Sequence, residues 1–398
     1  MLLFLPSQEV AISASWSWDH WLERKGDAMP VSQSLDLAQL RGELENEGFP
    51  WQMAYTSMTA LTEERRVLRL GVPPTPGLDI EHLEDGREAA ATAAASATAA
   101  SVGAPASFDL RNVGGVNYGT PVRDQGDCGS CVAFGVVGTM EGVGRYTWRA
   151  STLPVDLSEA HLYYCHGRAA GARCDTGWWP DQALNAARDT GVTFDDYYPY
   201  TAGDQDCTGL NADWPNHLAK VTAWQYLNND PSGMKEHIST YGSVTACLDV
   251  YQDFFSYGGG VYRHITGDYA GGHCVVLIGY DDAQSCWIAK NSWGTGWGQG
   301  GYFLIAYGEC RIESYQTCGV QGVNFRTWWP DQQILGLWSN EADANTWAYA
   351  AVRGWLKLDG STVTTHQAML SELAAAKAGS RQVGLFEDNR AVQQLYAW

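Results

Sequence analysis

Cysteine is missing from the first 127 residues and from the last 80, so all ten cysteines of the 398-residue chain fall between Cys128 and Cys318. Such confinement marks off one folding unit, and cysteines bridged within it would place it in an oxidising compartment. Basic residues are scarce too, 25 Lys plus Arg against 45 Asp plus Glu, with the carboxylates spread along the chain. Phosphates would therefore find little counter-charge, and no nucleic-acid partner is expected. No apolar run nears the roughly 18 residues of a membrane span. The run Leu2 to Leu5 is stopped by Pro6 and has no basic stretch before it, so a secretory leader is not evident. There is no Asn-x-Ser/Thr acceptor either.

What is present is length for two or three folded units, one of which a precursor could discard. The 18 Trp and 20 Tyr fit either aromatic-lined grooves or large aromatic cores. Leu37, Leu40 and Leu44, and a second start at Thr62-Glu63-Glu64-Arg65-Arg66, predict two amphipathic helices between Leu35 and Leu70. Gly71 to Pro76 ends the second. Glu88 to Ser101, almost all Ala, Thr and Ser, reads as helix or as a linker open to proteolysis. From Pro105 to about Gly322 the texture turns to glycine, aromatics and cysteine. Helices are predicted over Cys131 to Thr147 and Pro180 to Arg188, then strands over His273 to Tyr280, Cys286 to Lys290 and Tyr302 to Tyr307. Helices first and strands later in one unit give an α+β class. The residues from Asn324 on, with a helical pattern at Gln367 to Lys377, read as a separate helical extension.

In Gln125-Gly126-Asp127-Cys128-Gly129-Ser130-Cys131-Val132, Cys131 opens a predicted helix, where unsatisfied N–H groups and the helix dipole favour thiolate over thiol. A redox pair or a zinc site would use the same two cysteines. Zinc would want a second Cys-x-x-Cys or a His pair, and neither occurs. His273 heads one apolar strand and Asn291 ends the next, with Asp282 midway in the polar turn Asp281 to Ser285. Equidistance from that turn predicts that the two are cross-strand neighbours, the arrangement an orienting amide requires. A strand-end His alone is ordinarily structural; this one comes with an amide and a candidate thiol.

Gln125 to Cys131, Gly272-His273-Cys274-Val275-Val276 and Lys290-Asn291-Ser292-Trp293-Gly294-Thr295-Gly296-Trp297-Gly298 resemble the three active-site signatures of the papain and cathepsin family. Ser107-Phe108-Asp109-Leu110-Arg111 resembles its mature start, and the likeness spans roughly Pro105 to Gly319. The resemblance implies a two-lobed α+β fold with a cleft between a helical lobe carrying Cys131 and a β-barrel-like lobe carrying His273 and Asn291. It implies Cys131 as nucleophile, His273 as base, Asn291 orienting the imidazole and Trp293 shielding that bond. Gln125 and the Cys131 N–H would hold the oxyanion. Val132 departs from the family's aromatic after the nucleophile, so contact near the thiol differs.

The same resemblance implies bridges Cys128 to Cys174 and Cys165 to Cys207. Cys310 resembles a late family cysteine whose upstream partner is missing, and Cys318 is assigned to it; Cys247, Cys274 and Cys286 are expected as buried small hydrophobes. Gly177 matches the glycine that hydrogen-bonds extended substrate. Trp178, Trp179 and Tyr315 would line the second specificity pocket, or else be core aromatics. Ala54 to Glu64 resembles the family's prosegment, which runs through the cleft backwards. The expected layout is a propeptide at residues 1–104 (inhibitory part about 35–80, Ala-rich linker 88–103), a peptidase domain at 105–322 and the extension at 323–398. An acidic prosegment would let go as its carboxylates are protonated. Trp-Trp-Pro-Asp-Gln occurs at Trp178 and again at Trp328, each copy fit to start a helix. A sharper reading has the second copy packing near the first and modulating the cleft.

The function so implied is a cysteine endopeptidase made as an inactive precursor, since no insertion before His273 resembles the cleft-blocking loop of dipeptide-removing members. Alternatives are acyl transfer to an amine, as in a peptide ligase or transglutaminase, and a silent peptide-binding homologue. Expected partners are peptide and protein substrates and the chain's own propeptide. The expected form is a monomer without cofactor or metal, in a secreted or lysosome-like compartment.

Overall fold

The structure, a computed structural model, describes residues 36–75, 103–342 and 344–397. The stretch from Glu88 to Ser101 lies outside these residues, so neither reading of it is addressed. Helix α1 (Leu37–Asn46) starts where the Asp36 carboxylate accepts from the N–H groups of Ala38 and Gln39, satisfying donors that a helix start leaves orphaned. Its Leu40 and Leu44 are buried. Strand β1 (Trp51–Met53) and the short helix α2 (Glu63–Val67) follow, so both expected amphipathic helices form.

The central unit begins with β2 (Ser107–Asp109) and the long helix α3 (Cys131–Thr147), then α4 (Pro180–Asp189), β3 (Val192–Thr193), β4 (Leu218–Val221), β5 (Trp224–Tyr226) and α5 (Pro231–Tyr241). Strands β6 (Val244–Tyr251), β7 (Tyr257–Tyr262), β8 (Tyr269–Asp281), β9 (Cys286–Lys290), β10 (Tyr302–Ala306) and β11 (Thr317–Val320) complete it. One sheet runs β1-β7-β10-β9-β8-β6-β11-β5, with β2 added along β8. The N-terminal segment thus supplies its edge strand, β1 against β7. Trp51, Phe254, Trp293 and Trp297 belong to one buried cluster, while α3, α4 and β4 enclose another that includes Cys131, Trp178 and Phe325. Helix α3 lies tight on β8: a Cβ added at Gly135 would sit 2.7 Å from the Cys274 sulfur, so only glycine permits this approach.

The last 75 residues are not the helical extension expected. Strands β12 (Val323–Ser339), β13 (Thr346–Ala350), β14 (Gly354–Leu358), β15 (Gln382–Asp388) and β16 (Ala391–Ala397) surround a single helix, α6 (Val363–Ala378). β12 pairs with β13 and β15, β13 with β14, β14 with β16 in parallel and β16 with β15, which closes a five-stranded barrel. Nor is it separate, because the first half of β12 also pairs with β4. The period-2 row Val323, Phe325, Thr327, Trp329 is buried on one face of β12, a strand signal that the helical pattern near Gln367 overshadowed. The second Trp-Trp-Pro-Asp-Gln copy lies inside this strand and starts no helix. Pro330 falls where the pairing slips between Trp329 and Gln332, one of the places a strand tolerates proline. The first copy does open α4, with Pro180 in its first turn.

Trp148 ends α3, and the guanidinium carbons of Arg353 and Arg390 lie 3.8 and 4.0 Å from its ring. Arg353 is wholly buried and bonds both oxygens of Glu387 at 2.6 Å, while Trp329 Nε1 donates to Glu387 Oε2 at 2.7 Å. The barrel therefore grips the far end of the helix that starts at Cys131.

Candidate active site

Cys131 is the first residue of α3 and is fully buried. His273 lies on β8, also fully buried, and its Nε2 is 2.7 Å from Asn291 Oδ1. The Ser292 N–H donates to that same oxygen at 2.7 Å, so an acceptor faces the ring. The imidazole proton therefore sits on Nε2, which leaves the Nδ1 lone pair available as a base. Nδ1 has no hydrogen-bond partner of standard geometry, although the Arg69 main chain bears on the ring and favours its protonation. The Trp293 ring covers the imidazole at 4.6 Å between centroids and is wholly buried, so it excludes water from the His–Asn bond.

The meeting of His273 and Asn291 is as expected, but not through the expected rung. β8 and β9 pair as Val276 with Lys290, with an irregularity between Leu277 and Gly279, and the rung partner of His273 is Leu248 on β6. The two side chains meet from just beyond the ladder's end.

Gln125 is fully buried, and its Nε2 donates to Arg69 O at 3.0 Å and to Cys128 O at 2.8 Å. Its Oε1 accepts from Ser292 Oγ at 2.7 Å and its carbonyl accepts from Tyr200 Oη at 2.8 Å. Ser292 lies in the signature from Lys290 to Gly298 with no role that the residue type announces, and Tyr200 has no local signal; both emerge only through contacts.

The N-terminal segment fills the crevice. Gly71 O accepts from the Trp178 N–H at 2.9 Å, the Val72 N–H donates to Gly272 O at 3.1 Å, and Tyr315 Oη donates to Pro73 O at 2.6 Å. Gly71 is pressed between two glycine walls: a Cβ on it would lie 1.9 Å from Gly129 O, and one on Gly177 would lie 2.0 Å from Gly71 O. Arg65 and Arg69 pair with Asp127, and Arg69 also with Asp124. Among the described residues, the carboxylates in these pairs belong to the domain and the arginines to the segment. Burial raises the Asp127 carboxyl, but the two arginines outweigh it and hold it below the usual range. Burial, with Cys274 adding to it, pushes the Cys131 thiol well up, and burial lowers His273 to about 4 against its Asn291 bond. The covered pair is neutral.

Among the remaining expected site residues, Gly177 and Tyr315 do reach the crevice. Trp178 offers it only a backbone N–H; its side chain is buried and its Nε1 donates to Gln182 at 2.9 Å. Trp179, half-buried, caps α4. The bridges Cys128–Cys174 and Cys165–Cys207 are both formed. Cys310 and Cys318 are not joined: they sit in different clusters, Cys310 beside Glu309 in the sheet-lobe core and Cys318 on β11 facing the helices. Cys247, Cys274 and Cys286 are buried thiols, as expected.

A family model described as papain family cysteine protease matches residues 104–320. The chain belongs to that family. Cathepsin B-like CP2 of Giardia intestinalis is 37% identical over 228 residues, covering 54% of this chain and 74% of that one. Macrodontain-1 of Ananas macrodontes is 36% identical over 236 residues, covering 58% of this chain and 99% of that one. Among solved structures, the digestive procathepsin L2 proteinase of Tenebrio molitor larval midgut superposes with a TM-score of 0.56 at 25% identity, covering 76% of this chain and 98% of that one. The proCathepsin B S9 of Trypanosoma congolense shares the fold with a TM-score of 0.56 at 24% identity, covering 72% of this chain and 98% of that one. The papain-family chain is thus a cysteine peptidase with a propeptide bound on its catalytic domain. Its two disulfides and cathepsin-like relatives accord with a secreted or lysosomal-type oxidising compartment.

Proposed function

We propose that this protein is the latent precursor of a cysteine endopeptidase in which Cys131 is the nucleophile, His273 the base and Asn291 the group that orients it. The observation that carries this reading is the Arg69 carbonyl on Gln125 Nε2, at 3.0 Å. A main-chain carbonyl held on a fixed amide beside a helix-start cysteine stands where a scissile carbonyl would. With the segment removed, water reaches the crevice, the burial penalty on both groups falls, and a thiolate–imidazolium pair becomes accessible. The thiolate attacks the carbonyl carbon while Gln125 Nε2 and the Cys131 N–H receive the oxyanion. His273 Nδ1 passes its proton to the departing amine as the C–N bond breaks, leaving a thioester that water hydrolyses by the same route reversed.

Arg69 is not itself cleaved because the segment runs the other way. Residues 71–73 lie on Gly177 and Tyr315, the side where the resemblance puts the acyl portion of a substrate, so N and C directions are exchanged. Residues 1–104 then form the removable part and 105–322 the peptidase, with Gly177 and Tyr315 as substrate contacts.

An irreversible thiol epoxide tests the proposal. After removal of the N-terminal segment one equivalent should couple to Cys131, competed by peptide, and Cys131→Ala should take up none. Full labelling of the uncut precursor at neutral pH, or coupling at another cysteine with activity lost, would overturn it. Product analysis with an added amine separates hydrolysis from acyl transfer.

A further inference from the structure

The C-terminal barrel has an outward face that peptide hydrolysis does not use. Ala348, Ala350, Leu356 and Leu358 point into the barrel core. The alternate residues of β13 and β14 are then forced outward, and they are Trp347, Tyr349, Trp355 and Lys357. Trp338 on β12 stands directly opposite Trp347, and Tyr349 opposite Trp355. Large apolar side chains on a soluble surface are ordinarily scattered, yet Trp338, Tyr349 and Trp355 are 48%, 36% and 43% exposed on adjacent strands.

The rings are also held in place. Trp347 Nε1 donates to Asn345 Oδ1 at 3.0 Å, and Tyr349 meets Trp355 edge to face at 5.2 Å. Gly336 lies across from Tyr349, and a Cβ there would come within 3.3 Å of the Trp355 ring, so the glycine lets that indole approach β12 closely.

We propose that this face binds a neutral polysaccharide chain, whose sugar rings lay their C–H faces on Trp338, Trp347, Tyr349 and Trp355. The charge balance selects the occupant. The chain carries a formal charge of −20, and this face offers Lys357 as its cation, so a phosphodiester strand would meet no basic track. An uncharged ligand with apolar faces and hydroxyl edges suits exposed rings that are flanked by amides such as Asn345. The architecture is consistent: a five-stranded barrel with a helix between its third and fourth strands is the oligosaccharide- and oligonucleotide-binding design, and strands two and three, here β13 and β14, form its ligand face. Bound polysaccharide leaves the cleft open, because the barrel joins the peptidase at Trp148, a full α3 of roughly 25 Å away from Cys131. The site concentrates the enzyme on glycan-bearing material whether or not the catalytic reading above holds.

Sedimentation of the full-length Cys131→Ala protein with microcrystalline cellulose, chitin and starch granules is the test. Retention on at least one support is expected, and the Trp338→Ala/Trp355→Ala pair should lower it about tenfold or more. An unchanged thermal midpoint in the double variant shows that it folds. Tryptophan emission of the unmodified-face protein titrated with soluble hydroxyethylcellulose and glycol chitin gives a reading independent of the variant. The proposal is overturned if no support retains the protein and emission does not move, or if the variant binds as well. It is equally overturned if a single-stranded oligonucleotide binds in place of polysaccharide, or if the rings are covered by a dimer that the double variant dissolves.

Discussion

Acid should release the prosegment through His273 before it does so through any carboxylate. Burial lowers the His273 pKa to about 4, with the Asn291 bond and the Arg69 main chain opposing it, against roughly 6.5 for an imidazole in water. Between those values the covered state leaves His273 neutral and the open state binds a proton, so falling pH favours opening. The effect levels off below about pH 4, where both states become protonated. Between pH 7 and pH 4 this difference corresponds to roughly 3 kcal/mol, or about a hundredfold in the opening equilibrium. Asp127, held low by Arg65 and Arg69 against its burial, stabilises docking above the ordinary carboxylate range and withdraws that support only below about pH 4. Hydrogen exchange of the Trp51, Met53 and Val72 amides in Cys131→Ala protein, corrected for intrinsic rates, reads the opening free energy across pH 4 to 7. It should fall by roughly 3 kcal/mol in Cys131→Ala and stay nearly flat in Cys131→Ala/His273→Asn. An equal fall in both proteins would refute the reasoning and return the trigger to carboxylates.

Gly71→Ala places a methyl 1.9 Å from Gly129 O with no room to shift, so the uncut precursor should leak activity while the processed enzyme is unaffected. Latency retained in that variant would count against the tight fit. Gln125→Ala should lower kcat by about a hundredfold or more with little change in KM, as loss of an oxyanion donor does. Ser292→Ala, which frees the Gln125 amide from its 2.7 Å anchor, should cause a smaller kcat loss in the same assay. Arg353→Met strands a buried Glu387 carboxylate and should destabilise the fold by about 3 to 5 kcal/mol in urea unfolding, with partial recovery in Arg353→Met/Glu387→Met. Little change in the single variant would show that the barrel is not clamped through this pair.

Where the sequence was informative, the signal was local. The helix from Cys131 to Thr147 and the strand from Cys286 to Lys290 have the bounds their patterns predict, because each is a mainly apolar segment set off by polar or glycine-bearing turns. The catalytic motifs are short segments whose residue types the chemistry requires. His273 and Asn291 do meet, but not across the expected rung, since an irregularity after Leu277 and a turn off-centre from Asp282 shift the rungs. Cys310 and Cys318 looked like partners only by elimination, and the sheet between their two clusters keeps them apart.

By itself the sequence determined the residue set: a thiol at a helix start, an imidazole on one strand and an amide at the end of the next, a glutamine ahead of the thiol, and an amphipathic segment in front. Tertiary structure alone decided that Arg69 O would occupy the Gln125 amide, that Ser292 would aim it, and that the last residues would close into a barrel on Trp148. The physical reason is range. Residue type and local period are written along the chain, whereas a crevice filled by a segment some 60 residues upstream, or a barrel closed by pairing β12 with β15, depends on contacts that no local pattern encodes.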